Sequence, residues 1–153
     1  MSRAARRIGI ALTIAAIAAV AVAAGASGSG GRQVISFTTK QVHQTLLDHG
    51  EPGFGVDDIV VFSNDLYQRG RKIGEDGGTC TVIRVTPGQA PTMYCAGNNT
   101  LPGGQVSVAG FAAPGAPFEL AITGGTGRYR GVHGQVVGHN TSATEMEISL
   151  FLR

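Results

Sequence analysis

The sequence has no tryptophan, few charged residues and only two cysteines, and this composition restricts the fold classes that the chain can adopt. Charged residues make up 14% of the 153 residues, whereas glycine occurs 24 times. Abundant glycine with little charge is typical of many short strands joined by tight turns. A hydrophobic fraction of 42% argues against a disordered chain. The composition therefore predicts one folded all-β domain.

Long hydrophobic runs are also missing, except for one at the N-terminus. Three arginines within the first seven residues precede an alanine-rich apolar run, Ile8 to Ala24, and Ala24-Gly25-Ala26 has the small residues of a cleavage site. This layout predicts a signal peptide over residues 1–26, a flexible linker over 27–32 and a secreted domain over 33–153. An uncleaved membrane anchor is the alternative, although the run is at the lower length limit for spanning a bilayer.

Positive charge is scarce once the leader is removed. Without the three leader arginines, nine basic residues face ten acidic ones. A protein that binds nucleic acid through its backbone phosphates needs a basic surface, so we expect no nucleic-acid partner. His133 and His139 are six residues apart and would share one face of a regular strand, but a metal site needs more ligands than this pair. We expect neither a metal nor a cofactor.

The two cysteines predict a disulfide bond. Residues 79–86 and 92–100 read as strands on either side of Pro87-Gly88. If that dipeptide centres a hairpin, Cys80 and Cys95 lie directly opposite each other, close enough to be bridged. An exported chain favours formation of that bridge.

The alternation of apolar and polar residues predicts eight strands. They cover residues 33–48, 58–67, 79–86, 92–100, 105–112, 118–123, 132–139 and 144–152. Residues 42–47 could equally form one helical turn, and residues 68–78 should contain a turn. Eight short strands indicate a closed barrel or a sandwich, and the pattern alone does not choose between them.

The region around residues 121–134 reads as a sharp corner between two strands. It is rich in glycine, which permits positive φ and close backbone contact. The corner glycines are Gly124, Gly125, Gly127, Gly131 and Gly134. A phosphate-binding loop would need different glycine spacing and a following helix, and neither is present. Arg128 and Arg130 would then lie in solvent beside the turn, or at a barrel mouth where they could meet an acidic ligand.

Four segments, taken together and in order, resemble the allene oxide cyclase barrel family and its dirigent relatives. They are Gly53 to Tyr67, Gly78 to Ile83, Val106 to Gly110 and Phe118 to Gly134. The resemblance implies an eight-stranded antiparallel, calycin-like barrel, often a homotrimer, whose lumen binds a hydrophobic small molecule. It also implies guided cyclisation, isomerisation or coupling of that molecule without a cofactor, which is catalysis by positioning.

The resemblance also implies a ligand site. Val60, Phe62 and Asn64 share one strand face, which the family turns inward. Asn64 stands where the cyclases place a lumen asparagine, although a buried asparagine that ties a turn is the alternative. Cys80 stands at the family's lumen cysteine.

One part of the family pattern is absent from the first strand. The cyclases carry a glutamate and an asparagine there, and the nearest positions in this chain are Ser36 and Thr38. Residues 33–44 contain no acid at all. The sequence therefore assigns no catalytic residue, and a non-catalytic binding or structural barrel is the alternative function.

Overall fold

The computed structural model describes residues 32–153, which form a closed antiparallel barrel. Each strand pairs with the next along the chain, and the last pairs with the first. The strands are β1 (Gln33–Leu47), β2 (Ile59–Gln68), β3 (Arg71–Arg84), β4 (Thr92–Leu101), β5 (Gly104–Ala112), β6 (Phe118–Gly125), β7 (Gly134–Asn140) and β8 (Glu145–Leu152). The predicted barrel is confirmed and the sandwich is excluded. The predicted signal peptide and all but the last linker residue lie outside the described residues.

One strand prediction is confirmed over its alternative, and one strand boundary changes. Residues 42–47 continue β1 as a strand, with an irregularity in the pairing with β2 between Gln41 and His43. β3 begins at Arg71, not at Thr79 as the sequence predicted. The glycines there do not all make a turn: a side chain at Gly74 or Gly78 would collide with the backbone of β4. Those two glycines let two strands approach closely.

The predicted disulfide is present in the β3–β4 hairpin. Cys80 and Cys95 are register partners, with their Cα atoms 4.0 Å apart, and their sulfurs are bonded. Both cysteines are buried. The bridge therefore ties together two neighbouring strands of the barrel wall.

The two ends of the barrel differ. At one end lie the loops that follow β1, β3, β5 and β7, and residues of the loops after β1, β5 and β7 line an opening, which we call the mouth. At the other end, shorter turns follow β2 and β4, and the glycine corner joins β6 to β7. Tyr129 of that corner is buried, and its hydroxyl donates a hydrogen bond to the Pro102 carbonyl at 3.3 Å. Tyr129 thus closes the end opposite the mouth.

The glycine corner contains a regular turn that the sequence did not predict. It contains a short 3-10 turn, Gly127–Tyr129, and β7 begins at Gly134 instead of Val132. Gly127 and Gly134 have φ angles of 59° and 140°, which favour glycine. A side chain at Gly125 would collide with the backbone of Tyr129. The glycines of the corner therefore allow Tyr129 to lie inside the barrel.

Inward-facing side chains fill the closed half of the barrel. Fully buried aliphatic residues there include Leu66, Val106 and Leu150, which pack in one continuous core with Tyr129. None of these four lines the cavity of the other half. Across residues 32–153, no helix has the length and apolar character needed to cross a bilayer.

Candidate functional site: the barrel lumen

A cavity of about 350 Å³ opens at the mouth and extends into the barrel. Pockets that bind small molecules begin at about this size. Most of its wall is apolar, with three aromatic and two methionine side chains: Phe54, Phe62, Phe118, Met93 and Met146. Such a wall favours an apolar ligand, because burying its surface removes that surface from water.

The three predicted ligand residues line this cavity. Val60, Phe62 and Asn64 alternate along β2 with residues that face outward, as the period of a strand requires. Asn64 is buried, with 5% of its surface exposed. The predicted inward face is therefore where the structure places it, and ligand binding by these residues stays a prediction.

A polar row crosses the lumen at the level of Asn64. Strand pairing places Gln41, Asn64, Asp76 and Asn99 side by side on β1 to β4. All four line the cavity, and Asn99 is as buried as Asn64. The Asn64 side-chain amide donates a hydrogen bond to the carboxylate of Asp76 at 2.6 Å. An acidic group thus lies in a largely apolar cavity, with an amide donor holding it in place.

The pKa of the Asp76 carboxyl group is raised above its ordinary value. Burial raises its pKa from 3.8 to about 6, and the hydrogen bond from Asn64 opposes that rise by favouring the charged form. A group with a pKa near the working pH can both donate and accept a proton, as general acid–base catalysis requires. Perturbed carboxyl groups in a cleft are candidates for function, although structural networks can also perturb them.

Asp76 is the residue that sequence reasoning missed. It lies in the glycine-rich stretch that was interpreted as turn, so it was never assigned to a strand face. The available signal was the period of two: Asp76 is an even number of residues from Cys80, which the resemblance had placed in the lumen. The hydrogen bond from the Asn64 amide to the Asp76 carboxylate was not predicted either, because it depends on the pairing of β2 with β3.

The first-strand positions compared with the cyclases do not face the lumen. Ser36 is exposed, and its hydroxyl bonds the hydroxyl of Ser149 on β8 at 2.8 Å. Thr38 shares that outer face, whereas Phe37 and Thr39 are buried. The acid at the level of Asn64 in the lumen, Asp76, stands on β3 and not on β1.

The remaining candidates lie away from the cavity wall. Arg128 is at the closed end, with its guanidinium 5.2 Å from the centre of the Tyr129 ring, so it does not guard the mouth. His133 precedes β7 and His139 lies within it, so the two do not share a strand as predicted. Within residues 32–153, no three histidine, cysteine or acidic side chains come together as metal ligands.

The model of the allene oxide cyclase barrel-like domain matches residues 33–152, which is the whole barrel. The chain belongs to the allene oxide cyclase barrel-like family. A solved structure described as pyocyanin demethylase is 31% identical, with a TM-score of 0.74, and the match covers 79% of this chain and all of that one.

Two further structures share the family's barrel at lower identity. A Diels-Alderase from Streptomyces koyangensis is 22% identical, with a TM-score of 0.67 over 78% of this chain and 63% of that one. A pterocarpan synthase dirigent protein is 15% identical, with a TM-score of 0.67 over 80% of this chain and 89% of that one. At these identities the likeness concerns the fold.

Proposed function

We propose that the barrel binds a hydrophobic, flat small molecule in its lumen and guides its cyclisation, isomerisation or coupling, with Asp76 transferring a proton. The observation that carries this proposal is the Asn64–Asp76 pair in an apolar cavity of about 350 Å³. The apolar wall would fix the shape of the substrate, and the carboxyl group would act on the one polar position within reach. Positioning of this kind can supply much of a rate enhancement.

The comparisons support the flat shape of the ligand. The relative at 31% identity is named for pyocyanin, a small molecule of fused aromatic rings. Three phenylalanines and two methionines on the cavity wall suit such a ring system, because aromatic rings and sulfur atoms make favourable contacts with it. We carry over only this class of ligand, and pyocyanin itself becomes the first probe.

Binding of pyocyanin tests the proposal. We expect the wild-type protein to bind it, and Asn64→Leu to weaken binding by about 1–3 kcal/mol, because the carboxyl group loses its donor and the ligand loses a polar contact. Phe62→Ala should enlarge the lumen and shift the preference to larger ligands. Calorimetric titration, with native mass spectrometry of the purified protein, checks both.

Two results would count against this function. If the protein neither binds pyocyanin nor retains any small molecule from its host, the remaining function is that of a structural barrel with no ligand. A protein that binds ligands but returns every one unchanged would be a carrier without catalytic activity.

Export is part of the proposal. It is supported by the leader pattern of the sequence and by the Cys80–Cys95 bridge, since such bonds persist in oxidising compartments. Protein collected from culture medium should begin near Ser27 and carry no free thiol, which one intact-mass measurement reveals. An intact Met1 chain in the membrane fraction would contradict export.

A homotrimer is the proposed assembly, and the outer face of the barrel supports it. Tyr94 and Phe111 are register partners there, 46% and 64% exposed, with their ring centres 6.0 Å apart. Ile83 is also exposed. Exposed aromatic clusters mark interfaces between proteins. We expect sedimentation at the mass of three chains, and dissociation to monomers in Phe111→Glu. A monomeric wild type at micromolar concentration would refute the trimer.

A further inference from the structure

The loop between β1 and β2, residues 48–58, brings an aromatic ring to the mouth. Phe54 lines the cavity from this loop, yet 42% of its surface is exposed. The loops after β5 and β7 line the same opening, and their lining residues include Ala113, Pro114 and Ala143. Among the loop residues that line this opening, Phe54 is the aromatic one.

A buried carboxylate holds that loop in place. Asp58 is 1% exposed, and its carboxylate accepts the backbone N–H of His49 at 2.8 Å and of Gly55 at 2.6 Å. These two hydrogen bonds lower its pKa, so the carboxylate is charged at neutral pH. His49 lies at the start of the loop and Gly55 follows Phe54. One side chain thus fastens both sides of the loop that carries the ring.

The base of the loop is fixed to the barrel wall. The Asp57 N–H donates to the Val82 carbonyl at 2.9 Å, and the Val82 N–H donates to the Asp58 carbonyl at 2.8 Å. Val82 is fully buried on β3, two residues beyond the disulfide-bonded Cys80. The carboxylate that holds the loop therefore stands on a rigid part of the barrel.

The tip of the loop has its own support. The carboxylate of Asp48 accepts the N–H groups of Gly50 and Gly53 at 3.1 and 3.2 Å. With Asp58 bonding Gly55, the backbone is held on both sides of Phe54. An aromatic ring on a fixed backbone is preorganised for contact, and binding then costs less conformational entropy.

We propose that Phe54 is a specificity-determining residue that favours flat ligands at the mouth, and that Asp58 is the positioning residue that keeps it there. This inference rests on the proposed function, because it requires a ligand in the lumen. A flat ring system can stack on Phe54 or meet its edge, whereas a puckered ring of similar size cannot make those contacts over its whole face. Loss of the tether should therefore reduce selectivity for flat ligands.

Two pairs of variants test the inference. Phe54→Ala is compared with Val56→Ala, which removes an exposed apolar side chain of the same loop that lies outside the cavity wall. Asp58→Asn is compared with Glu51→Gln, which removes the same charge from an exposed position of that loop. Equilibrium dialysis measures binding of pyocyanin, which is flat, and of cyclododecanone, which is apolar but puckered. Amide hydrogen exchange at residues 49 and 55 reports the tether without any ligand.

We expect Phe54→Ala and Asp58→Asn to bind pyocyanin at least tenfold more weakly, with cyclododecanone binding changed less than twofold. The two amides should exchange at least tenfold faster in Asp58→Asn alone. Binding of pyocyanin that is unchanged in both variants would overturn the inference and leave the proposed function intact. Unchanged amide exchange in Asp58→Asn would overturn the role of Asp58. A wild type that binds neither probe and retains no small molecule from its host would overturn the proposed function, and with it the role of Phe54.

Discussion

Replacing Asp76 by asparagine should make the protein more stable at neutral pH and, if the proposed function is right, inactive. The side chains have nearly the same shape, but asparagine neither carries a buried charge nor transfers a proton. Loss of a general acid–base group typically reduces a rate by about 10²–10⁴-fold. The stability gain should reach up to about 3 kcal/mol, which is the free energy that corresponds to a pKa raised from 3.8 to about 6.

The same pKa fixes the direction of the pH dependence. Between about pH 4 and 6 the folded wild type holds a proton on Asp76 that the unfolded chain has lost. Its contribution to stability is therefore fully present below about pH 4 and is lost as the pH rises through 6. Asp58 has a lowered pKa, so its contribution is lost only at more acidic pH and lies outside this window.

Urea unfolding between pH 4 and 8 measures this effect. The difference in stability between Asp76→Asn and wild type should grow as the pH rises from 4 through 6 and then level off. The matched control is Asp65→Asn, which removes a carboxylate that pairs with Lys72 and does not line the main cavity. A difference that stays constant with pH would mean that Asp76 does not titrate in this range. Unimpaired substrate conversion by the variant would remove Asp76 from the mechanism.

Truncation of Tyr129 should have the largest effect on stability. The ring closes the barrel end opposite the mouth and is 5% exposed. Removing a buried aromatic side chain typically costs about 3–5 kcal/mol, because a cavity remains. Tyr129→Phe should cost only about 0.5–1.5 kcal/mol, since it loses just the hydrogen bond to Pro102.

Urea titrations of the two variants separate packing from hydrogen bonding. A loss below about 1 kcal/mol in Tyr129→Ala would show that the ring does not support the fold. Equal losses in both variants would assign the whole effect to the hydroxyl group.

The sequence predicted the parts of the site that depend on strand period and hairpin symmetry. The pairing of Cys80 with Cys95 follows from counting outward from Pro87-Gly88, and the inward face of β2 follows from alternation. Both rules are local, so one sequence suffices to apply them. Only the resemblance to the allene oxide cyclase family predicted which face of β2 points inward.

Long-range contacts determined what the sequence could not reveal. Asp76 was not assigned to a strand because it stands among glycines. From one sequence, glycines within a strand cannot be distinguished from glycines in a turn unless the neighbouring strand is known. At Gly74 and Gly78 the deciding fact is the closeness of the β4 backbone, which no local pattern encodes. The tether from Asp58 to the backbone of His49 likewise joins residues whose distance depends on the finished loop.

Pairing of β1 with β8 has a consequence for how the chain reaches its native state. The hydroxyls that meet across that seam, on Ser36 and Ser149, are separated by 113 positions. Every other strand pair in the described barrel joins neighbours along the chain, so those hairpins can form while synthesis continues. The seam cannot close until β8 has left the ribosome. Until then both outer strands present unpaired backbone groups, and the nascent barrel remains open to association with other chains.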